Sequence, residues 1–295
     1  MNPTASPDYI AIDWGTSRRR AYRVDAAGRI LARIEDDCGA RSVAAGGYPA
    51  VLAGLRDALG PLPVIAAGMV GSQLGWQSTP YLSAPVTLAA LAGAATRVTA
   101  EDCTLTPGVS LDAAEGCDVM RGEEIQALGA AAAGLVPPDA LVCQPGTHSK
   151  WITLADGRIA TFRSVMTGEL FALLRGDGSL AMLLDGPVAV GVAFRDGVSA
   201  GAAARSLGAA LFGTRAAVLL GRLPVGNAAA YASGVLIGAE IAGELGDAAG
   251  TVYIIADDRL GALYAEAIGL LGGAAVRVDS HTAFVAGIHA LQASL

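Results

Sequence analysis

An internal duplication is the feature of this sequence that most constrains its fold. The first copy comprises strand-like segment 9–13, turn 14–17, strand-like segment 20–24, turn 25–28 and strand-like segment 29–35. The second comprises segment 141–143, turn 145–149, segment 151–154, turn 156–157 and segment 159–165. Each copy therefore predicts a three-stranded antiparallel meander, and a repeated supersecondary unit is a stronger topological signal than any single motif.

The first turn of each copy is rich in glycine and hydroxyl side chains. Successive N–H groups in such a turn form a concavity that binds anions. The duplication therefore predicts two lobes, residues 1–136 and 137–295, whose turns grip a polyphosphate from both sides of a cleft.

Alternating helices and strands follow each meander. Their periodicity predicts helices at 48–59, 122–133, 260–271 and 283–291, and strands at 64–67, 252–255 and 276–278. With 53% hydrophobic residues in 295, the chain can fill two cores, and abundant Gly and Ala favour closely packed helices. The predicted class is α/β with mixed sheets.

Charge and composition exclude several functions. The net charge is −7 and the longest basic run is Arg18–Arg20, predicted as a solvated strand edge, so a nucleic-acid partner is not expected. Residues 1–8 lack the pattern of a secretory signal, and the apolar segment 225–239 is too short and too polar for a membrane span, which predicts a buried helix. The four cysteines and three histidines show no zinc spacing. A cytoplasmic protein without a membrane partner is expected.

Asp13 ends the first buried strand, directly before the first turn. A carboxylate at this position can hold a magnesium ion against nucleotide phosphates. The alternative is an Asx-type turn residue. The duplicated turn 146–150 favours the first interpretation, while its Lys150 is equally compatible with phosphate binding and with an exposed strand position.

Two further segments carry candidate substrate and catalytic residues. The glycine-rich segment after strand 64–67 offers a small polar pocket with aromatic walls, formed by Met69, Val70, Gly71, Ser72, Trp76 and Tyr81. At the start of helix 122–133, Arg121 can donate two parallel hydrogen bonds to a substrate carboxylate, and Glu123 or Glu124 can accept a hydroxyl proton. Acid enrichment in a first helical turn is the structural alternative. Glu124 is narrowly preferred as the base, with Glu123 nearer the exposed helix start.

Seven segments together resemble the 2-dehydro-3-deoxygalactonokinase family, in order from about residue 9 to residue 290. They are residues 13–16, 68–81, 120–124, 145–151, 166–170, 234–240 and 282–284, of which PGTHSKW and MRGEE are the most specific. The resemblance implies the duplicated ribonuclease-H-like fold of actin-like ATPases. It also implies transfer of the ATP γ-phosphate, with magnesium, to the 6-hydroxyl of 2-dehydro-3-deoxy-D-galactonate.

The resemblance also implies nucleotide-binding residues. The phosphate loops would comprise Gly15, Thr16 and Ser17 in the first copy and Gly146, Thr147, His148, Ser149 and Lys150 in the second. Gly234 and Gly238 would lie near the nucleotide. Two departures from the family pattern are Asp257-Asp258, where a small adenosine turn is usual, and His281, to which no role is assigned.

Two other functions are compatible with the same fold. A phosphohydrolase would need the phosphate turns but no acceptor pocket, and a nucleotide-switched binding protein would need a further partner-binding domain. The sequence leaves open the galacto or gluco epimer, the choice between Glu123 and Glu124, and whether the chain forms a homodimer.

Overall fold

Both predicted meanders are present in the computed structural model, which describes residues 8–113, 116–245 and 250–295. The first meander is formed by β1 (Tyr9–Trp14), β2 (Arg19–Val24) and β3 (Ile30–Asp36). The second is formed by β10 (Ala140–Gln144), β11 (Ser149–Ala155) and β12 (Arg158–Val165). Residues 1–7, where part of the signal-peptide argument fell, lie outside the described residues.

The remaining strands and the helices follow in chain order. Between the meanders lie α1 (Tyr48–Leu59), β4 (Val64–Gly68), β5 (Tyr81–Ser83), α2 (Leu88–Gly93), β6 (Thr96–Val98), β7 (Cys103–Leu105), β8 (Gly108–Ala113), β9 (Gly116–Met120) and α3 (Glu123–Ala132). After the second meander lie α4 (Thr167–Gly176), α5 (Val192–Ala202), α6 (Leu207–Leu219), α7 (Ala228–Leu245), β13 (Thr251–Ala256), α8 (Asp258–Leu270), β14 (Ala274–Asp279) and α9 (Ser280–Gln292). The predicted helices and strands are all confirmed. Their ends are shifted by at most three residues, except that the buried helix predicted over 225–239 is α7, which ends six residues later.

The two main sheets repeat one topology. The first has the order β3-β2-β1-β4-β7-β6 and the second β12-β11-β10-β13-β14, so each meander is extended by a parallel strand beside its first strand. A third, smaller sheet has the order β5-β8-β9. This repeated order confirms the predicted mixed-sheet α/β fold.

Two compact units divide the chain at different places from the predicted lobes. Unit 1 contains 1–139, 153–162 and 280–295, whereas unit 2 contains 140–152 and 163–279. Residues 153–162 join unit 1 because Ile159 and Val86 exchange two backbone hydrogen bonds, each 3.0 Å long. The lobes 1–136 and 137–295, which describe the duplication rather than these units, stay a prediction.

Each unit has its own apolar core. The core of unit 1 packs β1, β4 and β7 against α1, with Trp14 and Tyr48 among its buried rings. The core of unit 2 packs β10 and β13 against α5, α7 and α8. Among the described residues, one segment, Val225–Leu245, is long and apolar enough to cross a membrane by length and composition, but 67% of its 18-residue apolar window is buried inside the structure. Its burial is that of a core helix.

Candidate functional site

Three distant segments of unit 1 meet around the end of β1. Gly68 has a φ of 95°, and a Cβ on it would lie 2.7 Å from the carbonyl oxygen of Trp14. Gly122 has a φ of 112°, and its Cβ would lie 3.2 Å from the Cα of Gly68. Only glycine accommodates both the positive φ and the close backbone approach. These two residues therefore bring Asp13, the end of β4 and the start of α3 together.

Asp13 lies within a cluster of charged and polar side chains. Its Oδ2 is 3.7 Å from Nη1 of Arg20 and accepts a 3.4 Å hydrogen bond from Nε2 of Gln126. Burial raises the pKa of Asp13 to about 6, an effect that Arg20 opposes and Glu123 reinforces. A carboxylate with this pKa, beside one cation, can bind a divalent ion or exchange a proton near neutral pH.

Arg20 was not predicted as a neighbour of Asp13. The solvated strand edge predicted for Arg18–Arg20 is wrong for two of the three residues. Arg19 is 7% exposed, pairs with Asp36 and lies 5.3 Å from the centre of the Trp14 ring, while Arg20 faces Asp13. The register of the β1–β2 hairpin could have identified this neighbour, because pairing the two strands across turn 15–18 places Asp13 opposite Arg20.

Glu123 and Glu124 differ sharply in their surroundings. Both carboxylate oxygens of Glu124 accept the backbone N–H of Gly122, at 2.8 and 2.7 Å, and the side chain is fully buried. Burial, with help from Glu123, raises the pKa of Glu124 to about 8. Glu123 is partly exposed and accepts the N–H of Arg121 at 3.1 Å. Glu123 is therefore the more exposed of the two carboxylates at the start of α3, and Glu124 is the buried one.

Arg121 is held between two residues of the predicted substrate segment. Its Nη1 donates to Oγ1 of Thr79, its Nη2 donates to the carbonyl oxygen of Thr79 at 3.1 Å, and its guanidinium lies 4.3 Å from the centre of the Tyr81 ring. Its Nε is buried and has no hydrogen-bond partner. Tyr81 is 44% exposed and so presents an aromatic surface whose position Arg121 fixes.

The rest of the predicted substrate segment forms a tight turn. The Ser72 hydroxyl donates to the carbonyl oxygen of Met69 at 2.8 Å, and Val70 is buried. Gly71 accepts the N–H of Thr79 at 2.9 Å, which places it beside Arg121. Trp76 stacks on Tyr48, with centroids 5.6 Å apart. The structure thus brings Gly71 and Tyr81 to Arg121, while Trp76 packs against the core.

The first phosphate turn rests on the segment that follows β3. The carbonyl oxygens of Gly15 and Thr16 accept the N–H groups of Ala40 and Arg41, at 2.9 and 3.2 Å. Ser17 is exposed. With its carbonyls occupied, this turn has donor groups to offer an anion.

The second phosphate turn, in unit 2, is packed against the start of α4. A Cβ on Gly168 would lie 2.2 Å from the carbonyl oxygen of Gly146, and Thr147 accepts the N–H of Glu169 at 2.8 Å. Nε2 of His148 lies 2.6 Å from Oε2 of Glu169. A helix N-terminus and a glycine turn in contact form a site suited to phosphate.

The side chains of Ser149 and Lys150 are both buried. The Ser149 hydroxyl lies 2.8 Å from that of Tyr264, and Nζ of Lys150 donates to Oγ of Ser164 at 2.6 Å. Lys150 is 5% exposed, so the alternative of an exposed strand position is wrong. Direct phosphate contact by either side chain stays a prediction.

A pocket adjoins this second turn. It is lined by Pro145, Gly146, Thr167, Gly168, Phe171, Ser233, Leu236, Ile237, Leu260 and Tyr264. Its lining is mostly apolar, and it lies beside the turn that is predicted to bind phosphate.

Gly234 and Gly238 serve helix packing. A Cβ on Gly234 would lie 2.2 Å from the carbonyl oxygen of Phe194, and one on Gly238 would lie 2.2 Å from that of Val198. Both glycines therefore allow α7 to approach α5 closely. Their predicted contact with the nucleotide stays a prediction.

Residues at the two departures from the family pattern have partners. Asp257 caps α8 by accepting the N–H of Leu260 at 2.9 Å, and Asp258 pairs with Arg277. Nδ1 of His281 lies 2.7 Å from the Tyr22 hydroxyl. Asp257 therefore caps the helix that contributes Leu260 and Tyr264 to the pocket lining.

Comparison with known proteins agrees with these features. The family model for 2-keto-3-deoxy-galactonokinase matches residues 13–291. A probable 2-dehydro-3-deoxygalactonokinase of Rhizobium meliloti is 38% identical, with 97% of each chain covered. The 2-dehydro-3-deoxygalactonokinase of Escherichia coli is 34% identical, covering 96% of this chain and 97% of its own.

Solved structures give the same result for the fold. A Sinorhizobium meliloti protein assigned as a 2-dehydro-3-deoxygalactonokinase has a TM-score of 0.91 at 37% identity, with 97% of this chain and 96% of that chain covered. A more distant neighbour is the activator of a 2-hydroxyisocaproyl-CoA dehydratase from Clostridium difficile, with a TM-score of 0.53, 11% identity and coverage of 97% and 95%. The neighbours have the actin-like ATPase fold, which confirms the predicted fold class. The chain therefore belongs to the 2-keto-3-deoxy-galactonokinase family of sugar kinases.

Proposed function

We propose that the chain transfers the γ-phosphate of ATP to the 6-hydroxyl of 2-dehydro-3-deoxy-D-galactonate, giving the 6-phosphate and ADP. The observation that carries this proposal is the cluster of Asp13 and Glu123 beside Arg121 and Tyr81, in a chain that matches the family over nearly its whole length. We place this reaction in the cytoplasm, where ATP is available.

The nucleotide is assigned to unit 2 and the sugar acid to unit 1. The turn 146–149 and its adjoining pocket offer N–H donors and apolar walls to ATP. The segment from Gly71 to Tyr81, with Arg121, offers a cation and an aromatic surface to a sugar acid. A carboxylate on the substrate is the natural partner of an arginine.

A magnesium ion fits this chain as part of a metal–ATP complex. Among the described residues, no group of three or more His, Cys, Asp or Glu side chains is placed to hold a metal. Magnesium in kinases is usually held by one or two carboxylates together with the substrate phosphates. Asp13 is the residue that would hold it, and the ion would neutralise phosphate charge.

We assign the role of general base to Glu123 rather than to Glu124. A carboxyl with a pKa of about 8 is mostly protonated at pH 7, and both oxygens of Glu124 are occupied by the N–H of Gly122. Glu123 is accessible and close enough to raise the pKa of Asp13. It would accept the 6-hydroxyl proton as the oxygen bonds to phosphorus.

The test is phosphate transfer from ATP to a panel of 2-keto-3-deoxy sugar acids that includes the galacto and gluco epimers. We expect turnover that depends on the sugar acid, with mass spectrometry locating the phosphate on the 6-oxygen. Hydrolysis of ATP at the same rate without a sugar acid would overturn the proposal and favour a phosphohydrolase.

Single-turnover measurements on two matched variants test the assignment of the base. Glu123→Gln should slow transfer by about 10²–10⁴-fold while sugar-acid binding is retained. Glu124→Gln should slow it by less than about tenfold. The opposite order would return the role to Glu124.

A further inference from the structure

Glu240 is a buried carboxylate that the proposed reaction does not use. It lies on α7 and is 5% exposed. Its Oε1 accepts the indole N–H of Trp151 at 2.8 Å, and its Oε2 accepts the hydroxyls of Tyr264 and Ser149, at 2.7 and 3.3 Å. The side chain of Thr167 also hydrogen-bonds to it.

The four donors come from three elements that surround the second phosphate turn. Ser149 and Trp151 belong to β11, which begins where the turn ends. Thr167 is the first residue of α4, whose next residue, Gly168, touches the carbonyl oxygen of Gly146. Tyr264 and Thr167 also line the adjoining pocket. One carboxylate thus fixes the turn and two walls of the pocket relative to each other.

A buried carboxylate with these partners contributes more to the relative positions of the elements that it joins than to the stability of the fold. Removing a charge from water is costly, and well-packed apolar side chains often replace a buried polar group without loss of stability. A fully satisfied polar network, in contrast, defines a single arrangement of the elements that it joins. Glu240 does not line the pocket and its oxygens face protein donors, so it is not placed to touch the nucleotide.

We propose that Glu240 is a positioning residue for the nucleotide, holding the turn 146–149 and the pocket walls in the arrangement that binds ATP. This inference rests on the proposed assignment of the nucleotide to unit 2. Loss of the carboxylate should therefore weaken nucleotide binding and leave sugar-acid binding unchanged, because the sugar-acid residues lie in unit 1.

The experiment compares two substitutions at this position with a matched control. Glu240→Leu removes every acceptor. Glu240→Gln keeps one oxygen for the indole N–H, which can only donate, while the hydroxyls of Ser149 and Tyr264 can turn to accept from the amide. The control is Glu244→Gln, one helical turn further along α7, where the carboxylate lies 3.6 Å from the exposed Arg163. Calorimetry gives the Kd of ADP and, separately, of the sugar acid.

We expect Glu240→Leu to raise the Kd of ADP and the KM of ATP at least tenfold while the Kd of the sugar acid changes less than twofold. Glu240→Gln should recover ADP binding to within about threefold of wild type, and Glu244→Gln should bind both ligands normally. Unchanged ADP binding in Glu240→Leu, equal weakening of both ligands, or no recovery in Glu240→Gln would overturn the inference.

Two further measurements keep the test decisive. If Glu240→Leu does not fold, Trp151→Phe removes a single buried donor to Glu240 at a residue that does not line the pocket. It should still raise the Kd of ADP selectively, and failure to do so overturns the inference. The wild-type protein separates this inference from the proposed function. Absence of ATP turnover there overturns the function itself, whereas normal turnover with unaltered ADP binding in the variants overturns only the role of Glu240.

Discussion

Replacing Gly238 by alanine should destabilise the protein, although alanine is the better helix former. A Cβ at this position would lie 2.2 Å from the carbonyl oxygen of Val198 and 2.8 Å from its carbonyl carbon. Non-bonded carbon atoms normally keep about 3.5 Å, so α7 and α5 would have to separate by roughly 1 Å. Both clashing atoms belong to backbone, so no change of rotamer relieves them.

The size of the effect follows from two opposing terms. Overpacking of this kind costs about 1–3 kcal/mol, and the gain in helix propensity offsets at most about 1 kcal/mol. The matched control is Gly243→Ala on the same helix, where no atom lies within 4 Å of the new methyl group. Gly238→Ala should therefore lose up to about 2 kcal/mol, and Gly243→Ala should gain up to about 1 kcal/mol.

Thermal unfolding of the two variants measures this difference. At about 2–4 °C per kcal/mol for a chain of this size, the two Tm values should lie several degrees apart, with Gly238→Ala below wild type and Gly243→Ala at or above it. Equal Tm values would refute the packing argument. Loss of ADP binding by Gly238→Ala at unchanged Tm would instead support direct contact between this glycine and the nucleotide.

Three other substitutions test the residues of unit 1. Burial raises the pKa of Glu124 from the usual 4.5 to about 8. Between these two pH values the folded protein keeps a proton that the unfolded chain loses, so the free energy of unfolding falls by about 1.4 kcal/mol per pH unit. Glu124→Gln should remove this decline of up to about 5 kcal/mol. The measurement is the free energy of unfolding in urea between pH 5 and 9, and an equal pH dependence in variant and wild type would contradict the prediction. Asp13→Asn should lower kcat about 10–100-fold at saturating magnesium, and a wild-type kcat would exclude Asp13 from the metal–ATP site. Arg121→Lys keeps the charge but loses the paired hydrogen bonds to Thr79. Calorimetry should then show sugar-acid affinity reduced about tenfold with ADP binding unchanged. Reduced ADP affinity with unchanged sugar-acid affinity would instead place Arg121 at the nucleotide.

Local patterns were sufficient to predict most of the fold. Alternating side chains, turn residues such as Asp156-Gly157 and the helical period of 48–59 each depend on a few neighbouring residues, and the elements that they predict are present. The duplication then predicted the two meanders, whereas the parallel strand that lies beside the first strand of each meander was not predicted. Fold class and the order of strands within each meander were therefore accessible from the sequence.

Side-chain roles that depend on distant segments were not accessible in the same way. Arg20 reads as one of three consecutive surface charges until the β1–β2 register places it opposite Asp13. Glu124 and Glu123 are adjacent in sequence, and their place in the helix put Glu123 nearer the exposed start, but the full burial and raised pKa of Glu124 depend on the segments packed around it. The choice of base consequently rests on tertiary geometry.

The boundary of the compact units illustrates the same limit over a longer distance. Helix α9 follows β14 in sequence, which favoured placing both in the second lobe. Yet residues 280–295 belong to unit 1, where a Cβ on Gly129 of α3 would lie 2.3 Å from the carbonyl oxygen of Ala283. Nothing local to 280–295 indicates which unit it joins.

Close helix packing through glycine occurs in both units. In unit 1, a Cβ on Gly287 would lie 2.1 Å from the carbonyl oxygen of Ile125, and in unit 2 one on Gly201 would lie 2.0 Å from that of Val235. Side chains at these positions would hold each helix pair apart. Because α3 begins at the acidic cluster of unit 1 and α7 carries Glu240, each glycine-packed pair also fixes a helix on which a proposed functional carboxylate depends. Through this packing, a substitution at Gly234 or Gly238 should move α7 and the Glu240 that it carries, and so weaken nucleotide binding in proportion to that movement.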